Sequence, residues 1–302
     1  MFCITSSFFK YPHGWQVRVY NQIVGIKSWE DEFYYNYDYY SDEFNREPVW
    51  DVDLQEYVQC IPDPKKTWLN PFTDKYERPP RMVEDIMEDE KKRKERSIRS
   101  SMGRTVNSVY HIARSNSWEW FITFTFNPEL VNSLDYTETV KKLSKWLNNI
   151  KTENPGLGYI IVPEMHKSGR FHFHGLFKNC GGLQFTPSGK KTPKGDAIYN
   201  VGRYKYGWTT ATRITDQSRV TKYIAKYINK ELCQVAFNRK RYWASRNLDQ
   251  CDVQEVILDN EKMKKLKEKL AASAVYVKKV ETAEIVTTYY EIGNEVLDDD
   301  EI

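Results

Sequence analysis

Cysteine is scarce and unpaired in this chain. Its 302 residues hold five, Cys3, Cys60, Cys180, Cys233 and Cys251, an odd number with no C-x-x-C pair. That excludes a disulfide scaffold and a cysteine-based zinc finger, and it fits a reducing compartment. Long apolar runs are missing too. None approaches the roughly 18 residues that span a bilayer, and a mean hydropathy of −0.71 excludes a mainly membrane protein. The first ten residues, Met-Phe-Cys-Ile-Thr-Ser-Ser-Phe-Phe-Lys, lack a basic leader ahead of a long apolar segment, so no secretory signal is expected. Histidine is as rare as cysteine, yet His166, His172 and His174 fall within nine positions.

What is present supports a packed core, with 40% hydrophobic and 15% aromatic residues. The length suits one large domain or two smaller ones. Net charge is only +3, but the charge is unevenly spread. Residues 28–56 are acidic and aromatic, residues 91–104 are basic (Lys91, Lys92, Arg93, Lys94, Arg96, Arg99, Arg104), residues 165–246 are again rich in Lys and Arg, and residues 297–301 are acidic. A basic centre suits a phosphate backbone, and it equally suits an ordinary solvated charged face.

The pattern predicts a few short strands in a turn-rich region 1–80, closed by Pro79-Pro80. A long helix is expected over 81–115, with Gly103 as a weak point. Trp118–Phe126 reads as a strand and 136–150 as an amphipathic helix. Residues 158–165 and 171–177 read as a hairpin, 178–200 as a Gly-, Lys- and Pro-rich loop, and 203–212 as a strand. Helices follow at 217–232, capped by Thr215 or Asp216, and at 259–272, then strand-like residues 274–291. This order predicts an α+β fold: a central antiparallel sheet with helices packed on it, plus peripheral N- and C-terminal segments. The expected division is 1–80, 81–250 and 251–302.

Phe171-His172-Phe173-His174-Gly175-Leu176-Phe177 is the most informative stretch. Alternation along a strand puts His172 and His174 side by side on one face. Two readings stand: a pair of metal ligands, or two core histidines held by hydrogen bonds. If Ser168-Gly169-Arg170 is a three-residue loop, Glu164 lies opposite His174 and His166 opposite His172. All four then share a face, and Glu164 becomes the third ligand of a mixed nitrogen–oxygen site. A two-residue loop would turn Glu164 to the other face. Pro163, which lacks an N–H, marks this strand as an edge or a bulged one.

Farther on, Tyr223-Ile224-Ala225-Lys226-Tyr227-Ile228-Asn229-Lys230 places two tyrosines four apart, and two lysines likewise. On one helix the tyrosines share a face. A phenol near its free pKa of about 10 is a poor nucleophile; a nearby ammonium favours the phenolate. The other reading is an amphipathic helix with half-buried tyrosines and solvated lysines.

In this order, Phe121–Pro128, His172-Phe173-His174 and the doubled Y-x-x-K of Tyr223–Lys230 resemble the HUH endonucleases. More narrowly they resemble the two-tyrosine, gene A type rolling-circle replication initiators of small single-stranded DNA phages and related plasmids. Pro163–Arg170 and Arg241–Leu248 are similar to that group as well. The resemblance covers about residues 85–250. It implies a catalytic set of Tyr223, Tyr227, Lys226 and Lys230, and Mg²⁺ or Mn²⁺ held by His172, His174 and Glu164. It implies nicking of single-stranded origin DNA with formation of a 5′-phosphotyrosine, followed by rejoining. The implied partners are origin DNA, a host helicase and a host polymerase, with no membrane. The implied location is the cytoplasm of a bacterial host. Histidines ahead of tyrosines fit an initiator or a related transposase better than a conjugative relaxase.

His166, Arg170, Arg203, Arg241 and Arg246 are candidate DNA contacts, among Arg and aromatic residues near 203–208 and 239–246 suited to backbone contact and base stacking. Gly182–Lys190 imitates a phosphate-binding loop, but its spacing is wrong and Lys191 stands where Ser or Thr is needed. Two other functions remain: a metal-dependent nuclease that uses water, and a non-catalytic nucleic-acid-binding module.

Overall fold

The computed structural model describes residues 2–26, 49–51, 56–58, 61–62, 68–70, 75–77, 80–81, 83–236, 239–281 and 285–294. The chain divides into two compact units: residues 1–3 with 25–97, and residues 4–24 with 98–302. In the first unit, short antiparallel pairs join β3 (Val49–Asp51) to β4 (Glu56–Val58), β5 (Ile61–Pro62) to β8 (Pro80–Arg81), and β6 (Trp68–Asn70) to β7 (Lys75–Glu77). The acidic C-terminal residues 297–301 and most of the acidic aromatic segment lie outside the described residues.

The second unit is α+β, as expected. The strands of its larger sheet are β9 (Trp120–Phe126), β10 (Gly158–Met165), β11 (Phe171–Lys178), β12 (Phe185–Lys191), β13 (Ala197–Val201), β14 (Gly207–Arg213) and β15 (Trp243–Ala244). They lie in the order β12-β13-β14-β9-β11-β10-β15, and every pairing is antiparallel. Strands β12 and β13 form a hairpin where a loop was expected. Most of that hairpin is exposed, so it needs no apolar alternation to form, and the alternation is the signal a sequence offers. The false phosphate loop falls within it.

A second sheet is built from β1 (Phe2–Tyr11), β2 (Gly14–Ile26), β16 (Asp252–Val256), β17 (Tyr276–Glu281) and β18 (Val286–Ile292), in the order β16-β1-β2-β18-β17. Strands from opposite ends of the sequence therefore lie edge to edge.

Helix α1 (Val83–Arg114) is continuous through Gly103. Its Ile98, Met102, Val106, Val109 and Ile112 recur at helical spacing and pack into the main core. Helix α2 (Tyr136–Glu153) starts at Asp135, whose carboxylate accepts from the backbone N–H groups of Thr137 and Glu138. Its Leu143, Trp146, Leu147 and Ile150 are buried. Strand β9 alternates strictly: Trp120, Ile122, Phe124 and Phe126 are buried, and Phe121, Thr123 and Thr125 are half-buried. Trp146 meets Phe124, so α2 covers the apolar face of the sheet. The opposite face carries the polar residues. Helix α5 (Asn260–Ser273) buries Leu270 in the core of the second sheet.

The helix expected over 217–232 is two helices, α3 (Gln217–Ala225) and α4 (Lys230–Val235). Asp216 caps the first by accepting from the N–H of Arg219. Asn229 caps the second: its backbone is extended and its side chain accepts from the N–H of Leu232. An asparagine in that role starts a new helix instead of continuing the old one.

Candidate active site

The β10–β11 hairpin sets the site. Its loop is Lys167-Ser168-Gly169, one residue earlier than expected. His166 donates its N–H to the carbonyl of Arg170 and accepts from the N–H of Gly169, whose φ is +78°. Glu164 therefore lies opposite His172, and Val162 opposite His174, which corrects the expected pairing. The loop keeps its length of three, so the faces are unchanged. Glu164, His172 and His174 share the polar face, and Glu164 reaches His174 on the diagonal, Oε2 to Nε2 at 2.7 Å. His166 is exposed, its ring 5.7 Å from that of His172. The Pro163 half of β10 is a free edge, because β15 pairs only with Ile160 and Ile161.

Strand β9 supplies two residues that the sequence reading passed over. Thr125 lies opposite His172 and Thr123 opposite His174. Their hydroxyls meet the Nδ1 atoms of those rings at 3.1 Å and 3.0 Å. Each imidazole is thus fixed at Nδ1, with Nε2 turned to the site. The clue was present in Thr123-Phe124-Thr125, whose alternation matches His172-Phe173-His174.

The tyrosines arrive from the other direction. Tyr227 lies beyond the end of α3, in the turn before Asn229, so the two tyrosines do not stand on one continuous helix face. They still meet: their rings are edge-to-face at 5.3 Å. The ring of Tyr227 stacks flat on His174, centroids 3.8 Å apart and planes 8° from parallel. Tyr223 packs beside Phe121 at 5.5 Å and is 44% exposed. Lys226 is exposed, with its Nζ 5.9 Å from the centre of the Tyr223 ring. The side chain of Lys230, at the first turn of α4, lies outside the described residues.

Electrostatics separate these groups. The hydrogen bond from His174 holds the Glu164 carboxyl below the usual range, against the opposing effect of its burial. Burial pushes His172 down, and the neighbouring His174 adds to this, so His172 is neutral near pH 7. Burial drives the Tyr227 phenol far up, helped by its hydrogen bond to Tyr223 and by the charge of Glu164. Among the described residues, no three of His, Cys, Asp and Glu already close into a cage for an ion. In kind the donors suit one: two imidazoles fixed at Nδ1 and a carboxylate on the same face.

The candidate DNA contacts scatter. Arg170 is exposed and donates to Ser133 Oγ at 2.7 Å. Arg203 is exposed, with a φ of +66°, and pairs with Glu153 at the end of α2. Arg246 is exposed and follows Ser245, which bonds to Tyr159 at the far end of β10 from Glu164. Arg241 is buried, donating to Ser101 Oγ and to the carbonyl of Cys233, so it serves the framework.

Residues 119–232 match the family model for replication-associated proteins of the ORF2 and gene II protein type. This similarity supports a replication-associated protein. The match runs from β9 into α4, so it contains both threonines, the three histidines, Glu164 and both tyrosines. It leaves out Arg241, Arg246 and the second sheet. No curated protein and no solved structure matches the chain.

Proposed function

We propose that this chain starts rolling-circle replication by nicking single-stranded origin DNA with a tyrosine and later rejoining the strand. The observation that carries this reading is the seating of Tyr227 flat on His174 with Tyr223 against it. Residues about fifty positions apart thereby form one cluster of two phenols, two imidazoles and a carboxylate.

Tyr223 is the first nucleophile in this reading, because it is the more exposed phenol and has the Lys226 ammonium nearby. Its oxygen attacks the scissile phosphorus, the Tyr–O–P bond forms, and the bond from phosphorus to the 3′-oxygen breaks. The phenolic proton leaves to solvent, and the 3′-oxygen takes up a proton to become a hydroxyl that a host polymerase extends. Tyr227, held protonated by burial, is the reserve nucleophile for the strand made in the next round. Thr123 and Thr125 orient the imidazoles, and Lys226 offsets phosphate charge. A divalent ion held by His172, His174 and Glu164 would draw charge from the scissile phosphate and orient it. Strand separation is assigned to a host helicase.

The test is incubation with Mn²⁺ and single-stranded oligonucleotides tiling the DNA that encodes the chain. A denaturation-resistant protein–DNA adduct is expected, lost in the double variant Tyr223→Phe and Tyr227→Phe and lost on chelation. Cleavage that survives the double variant would point instead to attack by water. No adduct on any strand would overturn the proposal.

A further inference from the structure

We infer that Trp208 is a stacking platform for a nucleobase of single-stranded DNA, placing the adjoining phosphate at the histidine pair; this rests on the nicking reading above. Strand register places the ring. Trp208 on β14 lies directly opposite Thr125 on β9, which lies opposite His172 on β11. Directly opposed residues share a face, so Trp208, Thr125 and His172 form one row across the sheet. The next row is Thr210, Thr123 and His174, and the third is Thr212, Phe121 and Leu176. With strands spaced about 4.8 Å apart, Trp208 stands roughly 10 Å from His172 along its row.

Exposure points the same way. The buried members of β14, Thr209 and Ala211, face the core, while Trp208 is 59% exposed. Helix α3 brings Tyr223 over Phe121 in the third row, and the Trp208 row stays open at the other end. An indole is the largest apolar side chain, and no ring or cation packs on it among the described residues. By contrast, Trp118, Trp120, Trp146 and Trp243 are all buried in the core. The exposed aromatics of this sheet, Trp208 and Tyr223, thus flank the two threonine-held imidazoles, about 13 Å apart along β9.

A glycine holds the row in place. A Cβ on Gly207 would lie 2.2 Å from the Thr125 carbonyl oxygen and 2.6 Å from the Asn127 nitrogen. Only glycine lets β14 close on β9 here, and that closure fixes the row holding Trp208 beside Thr125. A base on this ring leaves its own backbone over Thr125, within a nucleotide of both imidazoles. Such stacking is tolerant of sequence, because every base has a π-face. Trp208 is therefore a positioning residue for the strand.

The test uses the Tyr223→Phe, Tyr227→Phe protein, in which binding is separate from covalent chemistry, and the anisotropy of a labelled oligothymidylate. Trp208→Ala is expected to weaken binding by about fivefold to a hundredfold. Trp208→Phe should keep most of the affinity, and Trp208→Leu should bind as poorly as the alanine variant. In the otherwise native chain, Trp208→Ala should raise the DNA concentration needed for adduct formation while leaving the rate at saturation near its native value. Equal binding by the alanine variant, or leucine performing as well as phenylalanine, would overturn the inference; the latter would mark the ring as an apolar contact for a protein partner. Adduct formation by the native chain with Trp208→Ala unchanged removes this inference alone. A ring-dependent affinity without any adduct removes the nicking reading alone.

Discussion

At the residue scale, the threonines decide how the imidazoles face. A histidine with a free Nδ1 samples two ring flips and two tautomers; a fixed partner at Nδ1 removes most of that freedom. Thr123→Val and Thr125→Val keep the branched shape and delete the hydroxyl. Each is expected to lower the rate of adduct formation by roughly tenfold to a hundredfold with a melting temperature close to native. A native rate in the double valine variant would show that the rings are held by their packing alone. These residues escaped the sequence reading because threonine is an ordinary strand former. Only the register of β9 on β11 reveals that both hydroxyls face histidines. The buried Arg241 was illegible for a related reason. An arginine reads as surface charge until the fold shows its guanidinium bonded to Ser101 and Cys233.

At the element scale, β9, β10 and β11 were legible because they are dense in aromatic and β-branched residues. Strand β10 keeps the expected span of 158–165. The break between α3 and α4 was not. Tyr223, Ile224, Tyr227, Ile228 and Leu232 keep helical spacing across the break, so periodicity alone runs through it, and only the capping chemistry of Asn229 interrupts it. Gly103 is the opposite case, a suspected breaker in an unbroken helix. A Cβ there would meet nothing within 4 Å. Gly103→Ala is therefore expected to stabilise the protein by roughly 0.5–1 kcal/mol, since alanine restricts the unfolded chain and fits the helix. Thermal denaturation checks this, and a lower midpoint would mean that the helix needs its glycine.

At the scale of the whole molecule, His111 joins α1 to the second sheet. Its Nδ1 bonds to the Tyr11 hydroxyl and its Nε2 lies 2.9 Å from an Arg18 nitrogen. Phe9 stacks on its ring at 4.5 Å. Burial, with the charges of Arg18 and Arg114, pushes His111 down from 6.5 to about 4. The folded protein keeps this ring neutral, whereas the unfolded chain protonates it below pH 6.5. The contribution is thus present above about pH 6.5 and is lost as pH falls toward 4. It amounts to no more than about 3 kcal/mol at roughly 1.4 kcal/mol per pH unit. Melting temperatures measured at pH 7 and at pH 4.5 should differ by less in His111→Gln than in the native chain. An identical difference would place the acid sensitivity elsewhere.

The second sheet also has a consequence in time. Strand β2 ends at Ile26, and its neighbour β18 begins at Val286. A ribosome adding about 5–20 residues each second leaves that edge of β2 waiting for tens of seconds. The seven strands between Trp120 and Ala244 are all made within the interval. The sheet that bears the histidines is therefore complete in sequence before its companion can close. During synthesis β2 offers an unpaired edge to any passing strand, a hazard shared by topologies that join distant parts of a chain.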